Sequence, residues 1–442
     1  MRRAWLARCA ASTSAPGASS SSPSASEMQR RIRAADITLR VATKDGTARV
    51  VYASTSGLLR ETLRRHNLAA RTHGHRPFLQ LLGTHLSLTN MLAALQEGEE
   101  RVASRFTAEE ATIVVEALAL GECRCYVRGD CNATIEGPPF PFSVGRTLYG
   151  QSQPFWSTTA AQLGQFLTEE EEEETNEGNS VPIALGLADV PREELLANFH
   201  YNISLHGYNF FRKSEGSASA LWCCVHLDDP AIQKSLAEYT QQEHEQKDAT
   251  SSSGGALDEK DNNLDMVLAR AGVSYGILVQ PLVATRAVEV QVHQLQRALL
   301  RASIANPAVF RELSRRAVEE CLSCQDTLSL VTGDYEGAYT VAMAARQFTQ
   351  DPSTAAPVIE KLRQQLGVND FRLSLDCDTP KRNRLDYLCR CSKDSFLQSM
   401  SVLPADELAR FMHETSFRCV FCGKERRLHQ EDWQKVLQKR GG

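Results

Sequence analysis

The chain has no uninterrupted apolar run of about 18 residues, so nothing in it is long enough to span a bilayer as a helix. It has no G-x-x-x-x-G-K-[ST] loop, which removes the usual argument for nucleotide-driven work. It lacks a strong charge of either sign: the net charge of -5 and pI near 6.2 do not suit a protein that coats nucleic acid or anionic membrane along its length. No nucleic acid and no membrane are therefore expected as partners. The first 26 residues lack both acids and the apolar core of a secretory signal. The evenly paired cysteine framework of a small secreted domain is also missing, because thirteen cysteines are an odd number scattered over 442 residues. A reducing compartment with mostly free thiols is expected.

With 42% hydrophobic residues the chain has enough apolar content for two or three domains with real cores. Residues 1–36 are expected to be a transit peptide or a disordered tail. Arg2, Arg3 and Arg8 among many serines suit mitochondrial targeting, with a cytoplasmic protein as the alternative. From Ile37 the text alternates, and "ITLRVATKDGTARVVYAS" predicts a hairpin about Asp45-Gly46. Leu81, Leu82, Leu86, Leu88, Met91, Leu92 and Leu95 recur at helical spacing and stop before Glu97-Gly98. Strands are predicted at "TIVVEALAL", "CRCYVRG", "ALWCCVHL" and "SYGILVQPL", and a closing helix at "VEVQVHQLQRALLRA".

The fold class read from this pattern is α+β: an N-terminal α/β sandwich-like domain over 37–303, a helical linker over 304–384, and a small C-terminal four-cysteine zinc-binding redox-switch domain over 385–442. Two polar insertions interrupt the first domain, one near 169–180 with the run Glu169 to Glu174, the other at 240–263. Past Asn306-Pro307, one helix is expected to carry Phe310, Leu313, Ala317, Cys321, Cys324 and Leu328 on a single face.

The chemistry is concentrated at the C-terminal end. Cys389 and Cys391 are one residue apart, Cys419 and Cys422 two apart, and 27 residues lie between the pairs. Zinc takes four ligands at tetrahedral corners, and Cys-x-x-Cys followed by Gly423 supplies two thiolates from one knuckle. In Cys-x-Cys an extended backbone turns both side chains to one side. The insert holds two short helical stretches whose Phe396, Leu397, Met400, Leu408, Phe411 and Met412 are expected to cover the metal. Four unligated structural thiols explain the module less well, since a unit of about 60 residues commonly needs a metal or a bridge to fold. A Cys-x-Cys disulfide closes at the edge of the allowed geometry and is easily reduced, while Cys-x-x-Cys is a redox spacing. Lys381, Arg382, Arg384, Arg390, Arg418, Lys424, Arg426 and Arg427 are expected to crowd the site and favour thiolate. The residues thus read as a cage first, one Zn2+ on Cys389, Cys391, Cys419 and Cys422, and as disulfides after oxidation.

At this point the chain resembles the redox-regulated 33 kDa heat shock protein family, whose C-terminus carries Cys-x-Cys, a spacer of similar length and Cys-x-x-Cys. "LRRHNL" (63–68), "LLG" (81–83), "EGEER" (97–101), "FFRKSEGSASA" (210–220) and "GILVQPL" (276–282) resemble that family's landmarks in order, so the resemblance covers most of 37–442. It implies an ATP-independent holdase, not an enzyme, inactive when reduced and zinc-bound. Oxidant forms disulfides within each pair, releases zinc, and unfolds the linker to expose an apolar surface for unfolding clients, often as a homodimer. The sequence departs at "VGRTLYGQSQPFWSTTAAQL", which does not align with the family's Gly-rich strand and lysine motif. It also lacks that family's proline in "SEGSAS".

Two other functions compete. A zinc-ribbon nucleic-acid binder would use the flanking cations with Phe417, Phe421 and Trp433 as stacking positions. A thiol oxidoreductase would need one exposed, metal-free attacking thiol at Cys419 or Cys422. Other thiols read as structural: Cys321 and Cys324 as core, Cys123, Cys125, Cys223 and Cys224 as strand residues with no ligand role, and Cys377 as at most an auxiliary disulfide partner. His66, His73, His75 and His85 read as surface or satisfied side chains.

Overall fold

The architecture comes from a computed structural model. It describes residues 36–441 except 67, 69–74, 109–110, 132–139, 152, 167–186, 188–189, 227–272, 284, 306, 321 and 347–348. The expected transit segment, the Glu169 to Glu174 run, the 240–263 insertion, His73, Asn306 and Cys321 lie outside the described residues.

The chain opens with β1 (Ile37–Ala42) and β2 (Ala48–Ser54), joined through Gly46 at φ +69°. The predicted hairpin is present, and Asp45 fixes its turn by accepting from Thr47 N (3.1 Å) and Thr47 Oγ1 (2.8 Å). Helix α1 (Ser56–Arg65) follows, and its first amides are satisfied from outside the helix. Buried Asp36 accepts from Gly57 N at 2.9 Å and Leu58 N at 2.7 Å. A Cβ on Gly57 would fall 2.6 Å from Asp36 Oδ2, so the close approach needs glycine.

The central helix α2 (Arg76–Ala94) carries the predicted set from Leu81 to Leu92, and Leu95 is its C-cap. Then come β3 (Arg101–Thr107), β4 (Ala111–Leu118), β5 (Glu122–Gly129), β6 (Pro141–Thr147) and β7 (Phe155–Ala160). Helices α3 (Arg192–Tyr201) and α4 (Ser204–Ser214) lead to β8 (Ala220–His226) and β9 (Val273–Pro281). The four strands read from the sequence are β4, β5, β8 and β9. The sequence reading did not identify β3, β6 and β7.

Two sheets result, and α2 lies between them. Its leucines meet Val51, Leu221 and Leu278 of one sheet and Val102, Ile113, Val115 and Phe142 of the other in one apolar core. The opposite face of the first sheet is covered by α5 (Arg286–Ala305), α6 (Ala308–Glu320), α7 (Ser323–Thr332), α8 (Tyr335–Ala344) and α9 (Pro352–Leu366). The segment expected as a helical linker thus shares a core with β1, β2, β8 and β9; Phe310 stacks on Trp222 at 4.0 Å between centroids.

One expected helix is two. The stretch past Pro307 breaks at Leu322, which has φ −104° and ψ 8°, and α7 turns back on α6. Arg316 and Asp326 form a buried ion pair at 2.7 Å. In one continuous helix these residues would stand about 15 Å apart along the axis. The break lets a charge on α6 meet its partner on α7.

Beyond α9 the chain forms β10 (Lys381–Arg384) and β11 (Asp386–Tyr387). The first sheet has the order β10-β1-β2-β9-β8 and the second β11-β5-β4-β3-β6-β7. A single strap therefore edges both sheets, pairing antiparallel with β1 through Ile37↔Arg384 to Arg40↔Lys381, then parallel with β5. Its last strand residue is Tyr387, and the strap runs on through Leu388, whose N donates to Cys123 O, into the first cysteine pair. Among the described residues no helix is long and apolar enough to cross a membrane.

Candidate metal centre

Past the strap come α10 (Lys393–Ser401), α11 (Ala405–Phe411), the hairpin β12 (Ser416–Arg418) and β13 (Glu425–Arg427), and α12 (Gln430–Gly441). Ser392 caps α10 by accepting from Ser395 N at 3.0 Å. The module's own core is small: Leu397, Leu408, Leu428, Trp433 and Val436, with Phe396, Met400 and Phe417 against them. Phe411 and Met412, expected over the metal, are instead exposed. They sit at the solvent side of the short α11, whose one buried residue is Leu408.

The turn of the β12–β13 hairpin is the knuckle. Gly423 N donates to Cys419 O at 2.8 Å with Gly423 at φ +68°, and Cys419 N donates to Lys424 O at 3.0 Å. The positive φ is the reason for glycine there. Cys389 and Cys391 enter from the strap, and the four Sγ atoms all lie within 4.8 Å of one another. Cys389 Sγ is 3.6 Å from Cys419 Sγ, and Cys391 Sγ is 3.4 Å from Cys422 Sγ. Each short approach crosses between the two pairs.

Four thiols so placed could hold a metal ion. Sulfurs about 2.3 Å from a tetrahedral zinc stand about 3.8 Å apart, close to the separations found. Burial, together with hydrogen bonds that the protonated Cys422 thiol makes to Cys391 and Cys419, pushes it up to about 12. A thiolate at that position needs a cation beside it, and an all-sulfur set suits a soft divalent ion.

The cations counted from the sequence are mostly engaged elsewhere. Lys381 pairs with Glu97, Arg384 with Asp386 at 3.2 Å, and Arg390 Nε with Glu122 at 2.6 Å. Arg418 donates to Gly423 O and Arg426 to Cys391 O. A cation not counted from the sequence, Arg124 of β5, interacts electrostatically with Cys389. Sequence reasoning missed it, because 265 residues separate the two and only the fold brings them together.

Arg124 belongs to a wider contact that seats the knuckle on the second sheet. Its guanidinium lies 4.1 Å from the centroid of Phe421, one of the two residues between the knuckle cysteines, and Tyr126 meets that ring edge-on at 5.0 Å. The Tyr387 hydroxyl bonds to Cys125 O at 2.9 Å and to Phe421 O, His66 Nε2 stands 2.8 Å from Cys125 O, and Arg65 covers the Tyr387 ring at 4.6 Å.

Other sequence candidates stand apart. Cys123, Cys125, Cys223 and Cys324 are buried among core residues, and burial pushes each thiol upward. Cys377 is half-buried and donates to Leu375 O (3.5 Å) and Gly337 O (3.6 Å). His75 bonds Cys131 O at 3.1 Å, while buried His85 bonds Ser104 through Nε2 at 2.6 Å and leaves its buried Nδ1 without a hydrogen-bond partner among the described residues, so the expectation of a satisfied side chain is met only in part there.

Fold and site together define an α+β protein whose sheet edge carries a four-thiol module able to hold a metal. The Hsp33 protein family model matches residues 36–171 and 337–429, just over half the chain and all four cysteines. The chain belongs to that family, and membership suggests a chaperone rather than an enzyme. The crystal structure of a 33 kDa chaperonin (heat shock protein 33 homologue) from Thermotoga maritima superposes with a TM-score of 0.48 at 13% identity. That superposition covers 92% of this chain and 99% of that one. Comparison with curated proteins gives no match.

Proposed function

We propose that this protein is an ATP-independent holdase, switched by the redox state of Cys389, Cys391, Cys419 and Cys422 and silent while these hold one Zn2+. The observation that carries this is the placement of four convergent thiols next to a strap that edges both sheets. Zinc, when bound, supplies the cross-link that a five-residue core does not. Each dithiolate gives two electrons to one peroxide and takes no further atom: one S–S bond forms, and the peroxide leaves as two waters after taking up two protons. Two such steps consume all four thiolates, and the chain retains no donor set for the ion. The module then unfolds, its hold on the strap and the helices α6 to α9 weakens, and apolar surface becomes available to unfolding clients. A homodimer in the oxidised state is part of this proposal.

The nucleic-acid reading fares worse. Phe417 stacks on Phe396 at 3.9 Å, Phe421 lies between Arg124 and Tyr126, and Trp433 is buried, so the three stacking positions are used within the chain.

The test follows zinc, free thiols and suppression of client aggregation on one sample, before peroxide at elevated temperature, after it, and after dithiothreitol. Loss of about one zinc with four thiols and gain of reversible holdase activity is expected. Zinc retained under oxidant, or released with no client binding, overturns the proposal.

A further inference from the structure

The strap is an extended segment that occupies the edges of two sheets, and its chemistry describes what else those edges would accept. Along β1 it makes four antiparallel register pairs, extended by Leu385 N donating to Asp36 O at 3.0 Å. Along β5, Asp386 N donates to Gly121 O at 3.0 Å and Leu388 N to Cys123 O at 2.9 Å. Between them Leu385 is 3% exposed and sits in the core shared by α2 and the second sheet. At either end a carboxylate receives a strap cation: Glu97 takes Lys381 together with Arg40, and Glu122 takes Arg390. The strap therefore has three recognition features: a backbone that pairs with open edges, an apolar side chain in a socket, and cations at both ends.

From this we infer that residues 381–390 act as an internal stand-in for client. Once they leave, the vacated edges of β1 and β5, with the Leu385 socket between Glu97 and Glu122, bind extended client segments that carry an apolar residue flanked by basic ones. The inference rests on the redox-holdase reading and adds to it where the client lies and which clients are preferred. An unfolded chain suits the site because its backbone donors and acceptors are unpaired, as those of an exposed edge strand are. Charge complementarity selects among such chains: with Lys381 and Arg390 gone, Glu97 and Glu122 lose their strap partners.

The probe is the strap itself, a labelled peptide of residues 380–390 with Cys389→Ser, titrated into the full-length chain in its reduced zinc-loaded and its oxidised forms. Two control peptides carry Leu385→Asp, or glutamate at Lys381 and Arg390. Binding to the oxidised chain alone is expected, weakened at least tenfold in either control and reduced by salt. The parent peptide should also displace a chemically unfolded client. If the oxidised chain suppresses client aggregation but ignores the peptide, or binds all three peptides alike, this inference fails and the holdase reading stands. If the peptide instead splits an oxidised dimer without displacing client, the edge belongs to a second copy's strap and the client assignment is overturned. An oxidised chain that protects no client overturns both.

Discussion

The guanidinium of Arg124 stands over the ring of Phe421, 4.1 Å from its centroid, and so joins a strand of the second sheet to one of the two residues held between the knuckle cysteines. Arg124 also donates through Nε to Glu116 at 2.8 Å, so a residue anchored in the sheet carries the contact with Phe421. Each cation–π contact of this kind contributes about 0.5 to 2 kcal/mol depending on its exposure. Phe421→Leu, which removes the ring and no ligand, should weaken docking roughly 2- to 30-fold. Amide exchange in the knuckle and the rate of zinc transfer to a chromogenic chelator should both rise in the reduced protein. Unchanged exchange and transfer would show that the knuckle does not depend on this seat.

Cys389→Ser should abolish stoichiometric zinc and, with it, the fold of residues 385–441 under reducing conditions. Structural zinc contributes apparent energies of roughly 10 to 16 kcal/mol at neutral pH, against a core of five buried apolar residues. Metal analysis and a differential scan of the reduced variant check this. Retention of one zinc per chain and an unaltered scan would remove Cys389 from the ligand set.

The bonding pattern after peroxide reports what the module does while it oxidises. In the folded module the short sulfur approaches are Cys389 to Cys419 and Cys391 to Cys422, across the pairs. Once the module has come apart, loop-closure entropy favours the short loops, Cys389 to Cys391 and Cys419 to Cys422. Peptide mapping by mass spectrometry should find bonds within the pairs if unfolding accompanies oxidation. Bonds across the pairs would mean that the sulfurs were joined in place and the module stayed folded, contrary to the proposed switch.

How far each of these features could be read in advance depended on the physics that sets it. The hairpin about Gly46, the leucine set of α2 and strands β4, β5, β8 and β9 carry strong local periodicity because one face or both are buried. The four-thiol cluster was equally visible, since two close cysteine pairs are a local signal. Strand β7 was not, because its inward positions, Ser157 and Thr159, are polar while its apolar Phe155 and Trp156 are exposed, so burial and hydropathy do not alternate together. Nor was β10, whose Lys-Arg-Asn-Arg has no apolar pattern and is a strand by virtue of β1's backbone alone. The seat of the knuckle on Arg124, Tyr126, Tyr387 and His66 joins residues hundreds of positions apart. No spacing rule reaches that far.

Acid should destabilise the reduced protein in a predictable way. Burial, with help from its neighbour His206, lowers His85 to about 3, and burial lowers His206 to about 4, so unfolding takes up a proton at each below about pH 6.5. Asp36 works in the opposite sense: burial outweighs its two backbone hydrogen bonds and raises it to about 7, so its contribution is complete below about pH 4 and lost as pH rises through 7. Near pH 5.5 the folded state holds about one proton more at Asp36 and about two fewer at the histidines. These three groups therefore contribute a net uptake of about one proton on unfolding, roughly 1.4 kcal/mol per pH unit lost on acidification, in addition to the protons that the cysteine thiolates take up when zinc leaves. Asp36→Asn should steepen the slope by roughly a further 1.4 kcal/mol per pH unit. Urea melts between pH 5 and 6.5 measure both, and a flat profile in either protein would contradict the assignment.

Gly121, just ahead of β5, lies directly against the strap backbone. It has φ +96°, and a Cβ there would lie 2.0 Å from Arg384 O and 3.0 Å from the carbonyl carbon, both backbone atoms that cannot swing aside. Gly121→Ala therefore meets a disfavoured backbone conformation, costing about 1 to 3 kcal/mol, as well as a clash that the strap can relieve only by moving off. None of the four cysteines is altered, so zinc should stay at one per chain while amides of Leu385 and Asp386 exchange faster. If strap release unmasks the client surface, this variant should suppress client aggregation under reducing conditions, with circular dichroism confirming that the two sheets remain folded. Faster exchange with no holdase activity would place the unmasking step elsewhere, in the departure of α6 to α9 from the first sheet.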